Sequence, residues 1–125
     1  RASKILTRHA KAMNGAKVLV VGVAYKQDID DYRESPALRV IEVLKREQAN
    51  VDFYDPWIAE YKYKGEKHQG IKEISPEIIA EYDLVMITAA HTNVDYDMIQ
   101  KNAVAIFDTK NVMKSIENRD NIEVL

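Results

Sequence analysis

The chain contains no cysteine. That excludes disulfides, thiolate metal sites and cysteine nucleophiles anywhere in its 125 residues. It also fits a reducing compartment, so the expected location is the cytoplasm. No apolar run is long enough to cross a bilayer, and the start, Arg1-Ala2-Ser3-Lys4-Ile5-Leu6, has neither an initiator Met nor a signal-peptide core. We read the chain as a piece of a longer polypeptide. An excess of one charge is absent too: 18 Lys and Arg stand against 20 Asp and Glu, a net charge of -2. No broad field favours nucleic acid or an anionic membrane. Any phosphate binding must come from local placement of Lys, Arg and backbone N–H groups. Glycine is scarce, four in all, and the spacing makes neither a three-glycine dinucleotide turn nor a P-loop.

What is present suits one folded domain. Hydrophobic residues make up 46% and charged residues 30%, enough apolar content to exclude disorder. Residues Ser3 to Met13 place Ile5, Leu6, His9 and Met13 near one helical face. Asn14-Gly15 then stops that leading helix. Residues 1–15 are accordingly expected to be a linker helix, and 16–125 the domain proper.

Lys17-Val18-Leu19-Val20-Val21-Gly22 reads as a strand buried on both faces, hence central in a parallel sheet. Ser35-Pro36 marks a helix start, with Ser as cap and Pro at the first helical position. Val51 to Tyr54 is a second strand, ended by Asp55-Pro56. Residues Trp57 to Gly70 read as an exposed connection with little regular structure. Ser75-Pro76 opens a short helix, Leu84 to Thr88 is a third strand, Asp95 to Lys101 a helix, and Val104 to Phe107 a fourth strand. A turn and an edge strand near Ile122 to Val124 complete the chain. Alternation of this kind predicts an α/β fold: a three-layer, doubly wound, Rossmann-like parallel sheet. The expected order of the four strong strands is second-first-third-fourth. Ligands bind such sheets at the C-terminal strand ends, where the order reverses.

The residues that meet there each have two readings. Gly22 with Lys26 is either a phosphate contact or a strand end with a solvated Lys. Asp28, Asp30, Asp31, Arg33 and Glu34 form a solvated, self-paired loop or a Mg or Ca site, although the spacing fits no EF-hand. Arg33 can fork onto a phosphate or carboxylate. His91 is a hydrogen-bonding loop residue or a catalyst without a triad partner. His9 and His68 read as surface residues, and no pair of histidines has metal-ligand spacing. Asp108-Thr109-Lys110-Asn111 is a self-bonded turn or a second phosphate or sugar contact at Lys110.

Four pieces in order, Gly22-Val23-Ala24-Tyr25-Lys26, Asp31-x-Arg33-Glu34-Ser35-Pro36-Ala37, Tyr54-Asp55-Pro56 and Asp108-Thr109-Lys110-Asn111, resemble the C-terminal UDP-binding domain of the UDP-glucose/GDP-mannose dehydrogenase family. The resemblance runs from about Lys4 to Asn111, and the His91 loop looks most like the UDP-N-acetylhexosamine 6-dehydrogenase branch. It implies an NAD-dependent enzyme that oxidises a UDP-sugar C6 alcohol to a carboxylate by two hydride transfers. NAD would be bound mainly by an N-terminal domain, and a central helix would dimerise, giving a homo-oligomer. Tyr25 and Lys26 resemble contacts to the substrate diphosphate. Arg33 resembles a contact to the NAD pyrophosphate. Lys110 stands where the family has a substrate-contacting Arg. The cysteine nucleophile of the family is absent, so the chain alone is expected to be inactive. Gln48 stands where the family often has Gly at a helix end, with Asn50 as an alternative turn residue. The competing reading is a non-catalytic nucleotide-binding or interaction module on the same fold. A third is a small NAD-binding domain, against which the missing glycines argue.

Overall fold

A computed structural model describes residues 15–24, 32, 35–114, 116 and 120–124. The leading helix expected before Gly15 lies outside those residues. Among the described residues the chain runs β1 (Lys17–Val21), α1 (Pro36–Arg46), β2 (Asn50–Tyr54), β3 (Glu60–Tyr63), β4 (Glu66–Gln69), α2 (Pro76–Ala80), β5 (Leu84–Ile87), α3 (Tyr96–Asn102), β6 (Ile106–Asp108) and β7 (Ile122–Val124).

Five strands form one sheet in the order β2-β1-β5-β6-β7, and every pairing is parallel. This is the doubly wound arrangement expected, with the tail strand at the edge. The apolar run of β1 is what places it at the centre. Val18 and Val20 join the core on the α1 side, while Leu19 and Val21 join the core under α2 and α3. A strand flanked on both sides needs both faces apolar. β5 divides the same way, with Leu84 and Met86 on one side and Val85 and Ile87 on the other. The fourth strong strand starts at Ile106, two residues later than its apolar run suggested, because Val104 is 47% exposed.

Local sequence sets the helix ends. Ser35 Oγ accepts the Ala37 N–H at 3.3 Å, with Pro36 behind it, and Lys45 and Arg46 fill the last turn of α1. At the C-terminus the Gln48 N–H donates to Lys45 O and the Ala49 N–H to Leu44 O, the paired bonds of a Schellman motif. The left-handed position is Gln48 itself, at φ 72°; Asn50 is already in β2 and takes no part in the turn.

The stretch 57–70, expected to be irregular, instead contains an antiparallel hairpin, β3–β4. Lys64 and Gly65, both at positive φ, make its two-residue turn. Tyr61 is the anchor. It is 2% exposed, and its ring centroid lies 5.0 Å from that of Phe53 and 4.8 Å from that of His68. A lysine-rich strand held by one aromatic residue shows little hydrophobic periodicity, and Lys-Gly is not a strong hairpin signal. His68, expected on the surface, is partly buried by the same stacking.

Two outcomes follow. Gln48→Gly removes a strained side chain, so it should stabilise the fold by about 1 kcal/mol. The melting temperature should rise by roughly 3–6 °C in thermal unfolding. Burial, and then the Lys45 ammonium, hold the His68 pKa below its ordinary value, with Glu66 opposing. The folded state therefore binds fewer protons than the unfolded one in this range. The stabilisation is present above about pH 6.5 and lost as pH falls through the folded value. Amide exchange in β3 and β4 should quicken, relative to β1, on acidification below pH 6.5, and His68→Phe should remove that difference.

Candidate functional site

Because the main sheet is parallel, the loops after β1, β2, β5 and β6 all emerge at one edge. Gly22 opens the first of them at φ +93°, and a Cβ there would lie 2.6 Å from the Cβ of Ala89 and 2.8 Å from its backbone N. The glycine is required for two loops to touch, in addition to the turn itself. The Gly22 N–H donates to Tyr54 O at 2.8 Å, and the Thr88 hydroxyl donates to Gly22 O. The loops after β1, β2 and β5 are thus joined at their roots.

Asp55 joins them further out. Its carboxylate is fully buried. Oδ2 accepts the Val23 N–H at 2.8 Å, the Ala24 N–H at 3.2 Å and His91 Nε2 at 2.9 Å. Oδ1 accepts the Trp57 N–H at 2.8 Å and the Ile58 N–H at 3.2 Å. The carboxylate accepts at every contact, so Nε2 is the donor of the contact to His91. Asp108, also fully buried, does the same for the last loop. It accepts the N–H groups of Lys110 and Val112 on Oδ1 and of Met113 on Oδ2. Thr109 adds two bonds to Ile87 O, from N at 3.1 Å and from Oγ1 at 2.6 Å.

A cleft of about 300 Å³ opens between the first turn of α1 and the ends of β5 and β6, lined by residues including Pro36, Ala37, Thr88, Thr109 and Lys110. Lys110 is exposed and supplies the cation of this lining. The N-terminus of α1 adds a favourable end of the helix dipole for an anion. Tyr25, Lys26 and Arg33 lie outside the described residues, as do Asp28, Asp30, Asp31 and Glu34. The residues flanking that segment are joined to each other: Ser35 Oγ donates to Ala24 O at 3.3 Å, next to Pro36 of the cleft lining. Among the described residues no three His, Asp or Glu side chains converge as a metal site.

Sequence reasoning placed Lys110 at this edge and missed the organising role of Asp55 and Asp108. Both end a strand and precede a turn, a recurrence that was visible. His91, left open between bonding residue and catalyst, is a buried partner of Asp55.

Residues 19–115 match a family model described as the UDP-glucose/GDP-mannose dehydrogenase family, UDP binding domain. A UDP-N-acetyl-D-mannosamine dehydrogenase of Methanocaldococcus jannaschii is 33% identical over 106 residues, covering 78% of this chain and 23% of that protein. A UDP-N-acetyl-D-glucosamine 6-dehydrogenase of Salmonella typhi is 25% identical over 88 residues, covering 70% of this chain and 20% of that protein. Among solved structures, a UDP-N-acetyl-mannosamine dehydrogenase of Staphylococcus aureus superposes with a TM-score of 0.63 at 30% identity, over 99% of this chain and 27% of that one. The chain spans roughly a quarter of the length of these relatives.

The geometry sets the cost of two substitutions. Gly22→Ala should destabilise the fold by on the order of 3 kcal/mol, from backbone strain plus the clash with Ala89. Asp55→Ala strands three buried N–H groups, the part-buried one of Trp57 and the His91 donor, and should cost about 3–5 kcal/mol. Urea unfolding measures both, and an Asp55→Ala loss below about 1 kcal/mol would contradict the network.

Proposed function

The chain belongs to the UDP-glucose/GDP-mannose dehydrogenase family, and from that premise we propose that it is the substrate-diphosphate-holding domain of an NAD-dependent UDP-sugar 6-dehydrogenase. In this reading the intact enzyme oxidises the sugar C6 alcohol to a carboxylate in two hydride transfers. The thiol for the covalent intermediates comes from outside this chain, which has no cysteine. The N-terminal NAD-binding domain and the central dimerising helix belong to the rest of the polypeptide, in a homo-oligomer. The substrate class is a UDP-N-acetylhexosamine, a choice supported by the names of the relatives.

The observation that carries the reading is the convergence of pinned loops and Lys110 at the C-terminal edge of the sheet. Lys110, with Tyr25 and Lys26 on the segment after Ala24, would neutralise and grip the diphosphate. The work of this domain is then binding: energy gained on the diphosphate holds the distant C6 in place for chemistry elsewhere. NAD supplies the hydride acceptor when bound, but these residues do not fit it as a resident cofactor. The space beside Gly22 is filled by Ala89, so that glycine offers no close approach for a pyrophosphate. Arg33 is the residue that, by its resemblance to the family, would contact the NAD pyrophosphate across the cleft to the preceding domain.

Titration of the purified chain with UDP, UDP-N-acetylglucosamine and NAD, followed by amide chemical shifts, tests the reading. UDP and its sugar should bind with Kd on the order of 1 mM, since sugar and uracil contacts are largely missing. Shifts should cluster on Thr88, Thr109 and Lys110. Lys110→Arg should tighten UDP binding about fivefold through a bidentate contact, and Lys110→Ala should weaken it. Tighter binding of NAD than of UDP would overturn the assignment.

A further inference from the structure

We propose that His91 is a positioning residue for the diphosphate-binding loop, acting through Asp55. The inference rests on the reading of that loop as the diphosphate contact. His91 is fully buried, and its Nε2 donates to one oxygen of Asp55, Oδ2. That is the oxygen that holds the Val23 and Ala24 N–H groups. The turn at Trp57 and Ile58 uses the other oxygen. His91 therefore braces the half of the carboxylate that faces the β1 loop.

The backbone of His91 is itself held. The Tyr96 hydroxyl, on the first residue of α3, donates to His91 O at 2.6 Å. At the far end Ala24 O accepts from Ser35 Oγ, which also caps α1. One hydrogen-bonded line thus runs from the start of α3 through His91, Asp55, Ala24 and Ser35 to the start of α1. Ala24 is held at both its N–H and its carbonyl, and Tyr25 and Lys26 follow it directly. Loss of the His91 donor leaves Oδ2 with its two backbone donors alone and loosens its hold on Val23 and Ala24. The Val23–Ala24 backbone then starts less ordered and must be ordered on binding, which lowers affinity without removing any ligand contact.

His91→Leu removes the donor, His91→Gln returns an N–H near the Nε2 position, and His91→Asn returns one too short to reach Asp55. Ile99→Val, buried in α3 in the opposite core, is a stability control. Each is read by UDP affinity, thermal stability and amide exchange. His91→Leu should weaken UDP binding about tenfold, with His91→Gln within about threefold of the parent. Exchange at Val23 and Ala24 should rise more than at Trp57 and Ile58. Ile99→Val should lose stability yet bind as the parent does. If His91→Leu does not fold, the same contrast is read between His91→Gln and His91→Asn. Equal affinity in donor-keeping and donor-lacking variants, or an equal loss in Ile99→Val, would overturn the proposal. If the parent does not bind UDP, the diphosphate reading fails; the exchange at Val23 and Ala24 still decides whether His91 governs the loop.

Discussion

The five donors on the Asp55 carboxylate are the contact on which the candidate site depends. Three loops, after β1, β2 and β5, meet in that one buried group. A buried carboxylate is tolerable only when fully bonded, and here the donors are the loops themselves. Full bonding of the carboxylate and a fixed arrangement of the loops are the same condition. Asp108 repeats the device on a smaller scale after β6, where it fixes the backbone of Lys110. Two acids at strand ends thus convert the open edge of a parallel sheet into a rigid frame.

That frame is how, in the proposed reading, a chain with almost no net charge addresses a diphosphate. Parallel strands bring their loops to one side, the helix dipole of α1 points at the same place, and Lys110 stands in the cleft. Local geometry replaces a global field. It also explains the proposed division of labour. A domain that grips the constant part of a nucleotide sugar needs no nucleophile, and the absence of cysteine is then no defect. The chemistry and the choice of sugar can lie in other segments.

Much of the fold was legible in the sequence because its signals were local or strongly periodic. The continuous apolar runs of β1 and β5 required a central place in a parallel sheet, and Ser35-Pro36 and Ser75-Pro76 marked helix starts. The β3–β4 hairpin was not legible, because its stability comes from the contact of Tyr61 with Phe53 and His68 rather than from its own pattern. The site was legible in part. Lys110 could be placed from position alone, since the C-terminal end of a strand in such a sheet is where ligands bind. Asp55 and His91 could not be joined from sequence: they are 36 residues apart, and only the neighbouring ends of β2, β1 and β5 bring them within 2.9 Å. The resemblance pointed to Tyr25, Lys26 and Arg33 by motif, and these lie outside the described residues.

The central claim is that the pinned loops and Lys110 form one diphosphate site. The most direct measurement is a crystal structure of the chain soaked with UDP. The account requires the diphosphate beside Lys110 Nζ and the segment that follows Ala24, with the Asp55 bonds intact. A diphosphate resting instead in the pocket between α1 and the hairpin, lined by Lys45, Lys64 and His68, with the sheet edge empty, would contradict it.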